Sequence, residues 1–498
     1  MPAISRRTFL RTSLYSLTGV AAIGAAGCSP LIDHIAQPKL PGTLSLPSGS
    51  KRNPTAHLLS RAGFGPRPEQ ISQVEKIGRV QWIDQQLAYE QIADESVALH
   101  LRRFDTLSLM AADMHSFGWD KSFIAGELSV MTLLRAVYSE RQLFEAMVGF
   151  WTDHFSIYTF KDEVIFLKTV DDREVIRHHA LGRFADLLYA SAHSPAMLRY
   201  LDNTLNLPNH PNENYAREIM ELHTLGVSGG YSEQDVKEVA RCFTGWTVNS
   251  RGTFEFRTEW HDSAEKTVLG QTIAAGGGQA DGEQVLIILA NHPETASFIC
   301  TKLVRRFVAD NPPAAVVSAC VQTWQQTNGD MRAIMRTLLN HPDFENAPPK
   351  FKRPFELVAS FLRATNALYD GNTHMIEVLA RLGQRPFAWP RPDGFPDTAI
   401  KWQGNLLDRW NFCLDAVGNR LPGVQIDWAD LAVRSHGKTE ADLLTTLRFF
   451  GRLFLGRDLD PGEETALMKG AAVLPADGRS PITNSLTVLI AGPAFQLR

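Results

Sequence analysis

Cysteine is scarce in this chain of 498 residues: there are five, and no two form a Cys-x-x-Cys pair. That sets aside the zinc and thiol-redox motifs built on such pairs. Cys242, Cys300, Cys320 and Cys413 are widely spaced and read as buried single thiols, although an oxidising compartment would allow one disulfide. Positive charge is not in excess either. With 50 Lys and Arg against 54 Asp and Glu, the net charge is −4, and nucleic acid drops out as a partner class. No βαβ alternation is present, which argues against a doubly wound sheet or an α/β barrel. The apolar run from Leu14 to Ala26 is too short, and too rich in Gly, Ala, Ser and Thr, to be a permanent transmembrane helix.

What is present begins at the N-terminus. Ser5-Arg6-Arg7-Thr8-Phe9-Leu10-Arg11 is a twin-arginine pattern, and the apolar run after it ends Ala25-Ala26-Gly27-Cys28. Residues 1–28 therefore read as an export signal of the kind that carries folded proteins. Small residues before Cys28 resemble a lipobox, at which that cysteine is lipidated and becomes the mature N-terminus. Position 25 is Ala where such boxes usually have Leu, so an ordinary signal cut nearby is the alternative. Ser29 stands where inner-membrane retention would need Asp, which points to the periplasmic face of the outer membrane. Residues 29–52 are rich in Pro, Ser and Gly and read as a flexible tether.

From residue 53 to the end helical spacing dominates, and a chain of this length can bury a large core. The expected fold is mainly α, a multi-helix, bundle-like domain with a small inserted β-hairpin. Asn53-Pro54 caps and starts the first helix. Leu143, Met147, Phe150, Trp151 and His154 recur at helical intervals, and Ser194-Pro195 divides Gly182–Tyr200 into two helices. Asn291-His292-Pro293 and Asn340-His341-Pro342 offer capping side chains and then an early proline. The hairpin is expected within about 247–273, where Phe254 and Phe256 alternate with polar residues and Lys266–Leu269 gives a second strand. Arg385–Gly404, with four prolines, reads as a long loop, and about 406–498 as helical again.

Several phrases together resemble one family. They are His57-Leu58-Leu59-Ser60-Arg61-Ala62-Gly63-Phe64-Gly65, Phe150-Trp151-Thr152-Asp153-His154-Phe155 and Pro195–Asn203 (PAMLRYLDN). Pro211–Glu218 (PNENYARE), Thr244-Gly245-Trp246 and Pro392-Asp393-Gly394-Phe395-Pro396 complete the set. The family is the bacterial exported one catalogued as domain of unknown function 1800, and the match runs from about residue 53 to the end. The resemblance implies an export signal and frequent gene proximity to a second exported family with a sulfatase-like fold. It implies no activity. Where the family usually has Phe after Glu-Leu, this chain has His223, which weakens any family-wide role for that residue.

The densest candidate site is Asn212–Gly230. At helical pitch, Tyr215, Ile219 and Leu222 form a core stripe, with Asn214, Arg217, Glu218 and Glu221 in the sector beside it. His223 falls on the other side, so a Glu-Glu-His triad does not converge within this helix. Arg217 and Glu221 are four apart and can pair, and Gly226, Gly229 and Gly230 are turn glycines. Ser232 and Asp235 form a capping box for the next helix.

A functional centre would add Asp202 and Asn203, giving oxygen ligands for a hard divalent cation from Asp202, Glu218 and Glu221. His154 or His261 would bring in nitrogen and favour zinc or iron. No Glu-x-x-His pair is present, which disfavours a di-iron centre. A lone His154 beside Trp151 is more often a core residue than a ligand. His261-Asp262 with Lys266 reads as a hairpin end or as acid/base chemistry over a cleft. Trp389, Phe395 and Trp402 suit either a sugar or partner surface or a cover for the core.

Two functions follow as expectations. The first is a lipid-anchored binding, scaffold or assembly component working with another exported protein or an envelope polymer. The second is a periplasmic metal-dependent or hydrolase-like enzyme. Its catalytic candidates are His154, Glu218, Glu221 and His261, its binding residues Asp202, Asn203, Asn214 and Arg217, and its metal candidates Asp202, Glu218, Glu221 and His154. The first is favoured, with Arg217 clamped by buried carboxylates.

Overall fold

A helix that is apolar on every side has to be surrounded, and Pro354–Ala364 is: all of its residues are buried. Lys121–Tyr138, which packs against it, and Gln142–His154, which packs against Lys121–Tyr138, are buried along most of their length. These three helices form the centre. Amphipathic helices enclose it, and one hydrophobic cluster extends from Leu44 to Phe495. The computed structural model describes residues 32–116, 118, 120–436, 442–472 and 480–498. The twin-arginine stretch and Cys28 lie outside the described residues. No helix among those described is long and apolar enough to cross a membrane.

The protein is mainly α, as its sequence pattern predicts, and local chemistry explains the helix ends. Asn53 accepts hydrogen bonds from the Thr55 and Ala56 amides at 2.8 and 2.9 Å. Phe184–Ala192 and Pro195–Tyr200 are separate helices, divided before the proline. At the starts of Pro293–Phe307 and Pro342–Glu345 the cap is the histidine: His292 and His341 each accept an amide two residues on, at 3.2 Å. The asparagines beside them bond backward, Asn291 to the Ile287 carbonyl and Asn340 to that of Arg336.

The β insertion is two hairpins rather than one. Trp246–Val248 pairs antiparallel with Phe254–Phe256, and Lys266–Val268 with Gln271–Ile273. Each strand found its partner across the nearest turn, where chain closure costs least. A third short pair joins Leu368–Tyr369 to Val424–Gln425.

The segment before the domain is also corrected. Over its described part, residues 32–52 are seated on the domain and do not form a free tether. Asp33 is buried and pairs with Arg103 at 2.8 Å, Ala36 and Leu44 are buried, and the Gly49 amide donates to Asp458 at 2.7 Å. Proline- and glycine-rich composition disfavours long regular elements but not packing, and residues 32–36 form a short helix.

All four described cysteines are buried and free. Burial pushes the thiols of Cys242, Cys320 and Cys413 up to about 12, and that of Cys300 at least as strongly upward. Thiolate is the reactive form. A Cys28→Ser protein should therefore react with Ellman's reagent only after unfolding, and a stoichiometric fast reaction in buffer would contradict this burial.

Candidate functional site

The helix Glu213–Glu221 is capped by Asn212, which accepts the Asn214 amide at 2.9 Å, and it buries Tyr215, Ala216, Ile219 and Met220. Arg217 does not pair with Glu221. Its guanidinium takes both oxygens of Glu233, at 2.8 Å each, and one of Glu213 at 3.0 Å. The clamp thus joins this helix to Glu233–Cys242, and it is largely exposed, not buried. Glu233 won because a partner on a neighbouring helix can meet the planar guanidinium with both oxygens. The capping box of Ser232 and Asp235 forms as the spacing predicts.

Gly226-Val227-Ser228-Gly229-Gly230 fits the letters Gly-x-Ser-x-Gly. It follows a helix and not a strand, and Ser228 is exposed, so it lacks the strand–turn–helix context of a nucleophile elbow.

The proposed metal set is not brought together. Asp202 accepts from Lys161 at 2.6 Å, and the same ammonium donates to the Tyr200 carbonyl at 2.7 Å. Asn203 is buried and donates to the Phe243 and Trp246 carbonyls, fixing the turn into the first hairpin. Asn214 donates to the Leu201 carbonyl at 3.2 Å. His154 is buried elsewhere: its Nε2 lies 3.1 Å from the His223 carbonyl, so Nε2 carries the proton and Nδ1 accepts from Lys302 at 2.9 Å. Burial, the Lys302 charge and His223 hold the His154 imidazole well below its ordinary value, hence neutral. Among the described residues no group of three or more His, Cys, Asp or Glu could hold a metal ion.

His261 also has a different setting from either expectation. It is buried, with Nδ1 2.8 Å from the Thr244 carbonyl and Nε2 3.0 Å from Asp281 Oδ2. Lys266 reaches the same oxygen at 2.5 Å and also donates to the Asp262 carbonyl. Asp281, about twenty residues downstream, closes a buried ion cluster that pins both hairpins to the helix Ala280–Asn291.

The family-like phrases converge instead around the loop 385–404. Asp153, at the end of Gln142–His154, pairs with Arg353 at 2.7 Å. Asp397 on the loop meets Arg306 at 3.0 Å and Arg353 at 3.4 Å. Glu356 sits within 2.8 Å of Arg306, 3.1 Å of Arg498 and 3.4 Å of Arg353. Gly394 is required here: its φ is +72°, and a Cβ would lie 2.0 Å from the Asp153 carbonyl oxygen. A cavity of about 70 Å³ lies beside the network, lined in part by Phe64, Thr152, Asp153, Arg306, Arg353 and Phe395. Glu145 and Asp172 also line it, and Asp172 opens a π turn, Asp172–Arg177, whose Arg177 grips Glu145 with both nitrogens at 2.6 and 3.0 Å.

Above this network the loop presents Trp389, Phe395 and Asp393. Trp389 donates to Asp393 at 2.7 Å, and its ring centroid is 5.1 Å from that of Phe395. Trp402, by contrast, is buried and bonds the Pro396 carbonyl.

The profile of the family described as Protein of unknown function (DUF1800) matches residues 57–497. The chain belongs to this family. No curated protein and no solved structure matches it. Every DUF1800 phrase named above except Thr244-Gly245-Trp246 places at least one side chain in or beside this loop-centred region.

The residues that sequence reading missed are the loop's partners. Lys302 is partly accessible, and burial holds its ammonium down to about 8, with Asp397 and Asp153 pulling upward. Glu218 is half-buried. Burial raises its carboxyl, the neighbouring Glu221 adds to this, Arg217 works against it, and Asp393 raises it further. The charge of Asp393 thus reaches both Glu218 and Lys302. The five-residue phrase around Asp393 was the one signal that could have found it.

Proposed function

We propose that this DUF1800 member is exported by the twin-arginine route, held at the envelope through Cys28, and works there as a binding or assembly component with another exported protein. One observation carries the reading. Where the family phrases converge, the charges of Asp153, Asp397 and Glu356 are spent on Arg306, Arg353 and Arg498, leaving a fixed scaffold. The half-exposed edge of Trp389 and Phe395, with Asp393 between them in sequence, is the surface that scaffold presents, and aromatic edges of this kind serve as interface anchors.

The test is made in the native host. Labelled palmitate should enter the wild type and not Cys28→Ser, and crosslinking should recover a discrete exported partner that Trp389→Ala/Phe395→Ala loses. A wild type that stays unlabelled in the cytoplasm, or a partner indifferent to the double variant, would sink the proposal.

One observation favours the second reading, a metal-dependent or hydrolase-like enzyme. Burial and the neighbouring Glu221 charge keep the Glu218 carboxyl raised, and among the described residues it forms no ion pair. Stoichiometric metal in protein from the native export route, lost in Glu218→Ala and Glu221→Ala while they stay folded, would install that reading in place of the first.

A further inference from the structure

A second, larger cavity of about 210 Å³ lies on the other side of Pro354–Ala364, between Pro54–Arg61, the end of Leu443–Leu455 and the segment 494–498. Its walls are mainly apolar, with Leu453, Phe454, Leu455, Phe495 and Leu497 among them. Its charged lining is one-sided: Arg52, Lys352, Arg457 and Arg498 contribute and no acidic side chain does, while His57, Ser60 and Ser360 add neutral polar groups.

These cations differ in how they are matched. Arg457 is neutralised by Glu463, which takes two of its nitrogens at 2.7 and 2.8 Å. Arg498 meets Glu356, but its Nε is buried without a partner. Among the described residues Arg52 donates only to main-chain carbonyls, the nearer being Ala347 at 2.8 Å, and its Nη1 is buried without a partner there. Lys352 is buried, and among the described residues its ammonium has no hydrogen-bond or ion-pair partner. It rests 3.6 Å from the centroid of the Phe495 ring. A buried cation without a counter-ion is costly, and so is a buried donor without an acceptor. Residues carrying all three groups line one space, and of these groups the Lys352 ammonium is the one left with accessible surface.

We propose that this cavity binds a small organic anion, a carboxylate carrying an apolar body. The carboxylate takes the Lys352 ammonium, with the Arg52 guanidinium of the same lining adding positive charge, and the body lies against Leu453, Phe454 and Phe495. A mostly apolar pocket with a few converging polar groups is the usual form of a small-molecule site. The ammonium supplies the charge-assisted hydrogen bond that fixes a carboxylate, and the guanidinium charge adds to the attraction.

Protonation adds a signature. Burial holds the Lys352 ammonium down to about 7, with Glu356 pulling it up, Arg498 and Arg409 pulling it down, and the Cys413 thiol also facing it. Only the charged amine attracts the anion, so binding should weaken as pH rises through 7.

Calorimetric titration of the folded chain with octanoate, benzoate and inorganic phosphate tests the site. At least one of the two carboxylates should bind with one-to-one stoichiometry, more tightly at pH 6 than at pH 8. Phosphate, which has no apolar body, should bind about tenfold more weakly or not at all. Lys352→Met and Arg52→Gln should each weaken carboxylate binding about ten- to a hundredfold. Arg52 is only half-buried, so Arg52→Gln decides the matter should Lys352→Met not fold. The proposal is overturned by the absence of saturable binding for both carboxylates, by phosphate binding equally well, or by an Arg52→Gln protein that binds like the wild type.

Discussion

Glu356→Gln is expected to cost about 3–5 kcal/mol of folding stability, the usual penalty for removing one partner of a buried ion pair. Glu356 is 2% exposed and lies among three guanidiniums, those of Arg306, Arg353 and Arg498. Burial alone would raise its carboxyl; Arg498, Arg306 and Arg353 together hold it well below the usual carboxylate range. Glutamine preserves the shape and still accepts the Arg353 amide that Glu356 Oε2 takes at 3.0 Å. What it removes is the charge, leaving three buried cations to share Asp397 and Asp153. Arg498 has neither of these as an ion-pair partner, so it should be the group most exposed to the loss. Urea unfolding reads the effect directly, and a midpoint equal to the wild type's would contradict it. Arg217→Gln is the control: its clamp is largely exposed and should leave the midpoint nearly unchanged.

Acid should unfold this protein earlier than its carboxylates alone would require. Four histidines are buried and held neutral. Burial with Arg61 and Arg52 takes His57 down to about 3, burial with Arg103 takes His100 to about 4, and burial with Lys302 takes His223 to about 3. His154 is lowered by burial, Lys302 and His223. In the unfolded chain each takes a proton near pH 6.5, and in the folded chain it does not. The unfolded state therefore binds more protons below that pH. Stability is fully present above about 6.5 and is lost as pH falls toward the folded values. Each histidine contributes a slope of about 1.4 kcal/mol per pH unit, so four together remove several kcal/mol by about pH 5.

A typical domain has only about 5–15 kcal/mol to lose. Carboxyls raised by burial, such as Asp94, Glu127 and Asp153, work in the opposite direction. Each offsets the histidines between its raised folded value and about 4, where its unfolded counterpart titrates. Urea midpoints measured from about pH 6.5 to 5 should fall steeply, and His100→Gln should make the slope shallower by about one proton. A flat profile from pH 7 to 5 would show that these imidazoles are not held neutral.

The sequence by itself determined the helical class and most helix boundaries. The caps at Asn53 and Asn212, the Ser232–Asp235 box, the proline starts at 293 and 342 and the break before Pro195 all form as their spacing predicts. Each is decided by atoms within about four residues of one another, so the local chain contains the whole interaction. Even there the local pattern left a choice open, since it offered both Asn and His before each proline and the histidines took the cap.

Only the tertiary structure decided which charges meet. Arg217 had Glu221 one turn away and took Glu233 on the next helix. Asp153 found Arg353, Lys266 found Asp281, and His154 found Lys302. The sector of Asn214, Arg217, Glu218 and Glu221 was legible as a helical face, but not that Asp393, on a loop 172 residues beyond Glu221, would lie near it. Helical periodicity states which face a side chain occupies, and it carries no information about what packs on that face. That is fixed by how the buried helices stack, because a charge taken out of water is tolerated only where packing brings its partner within hydrogen-bond reach.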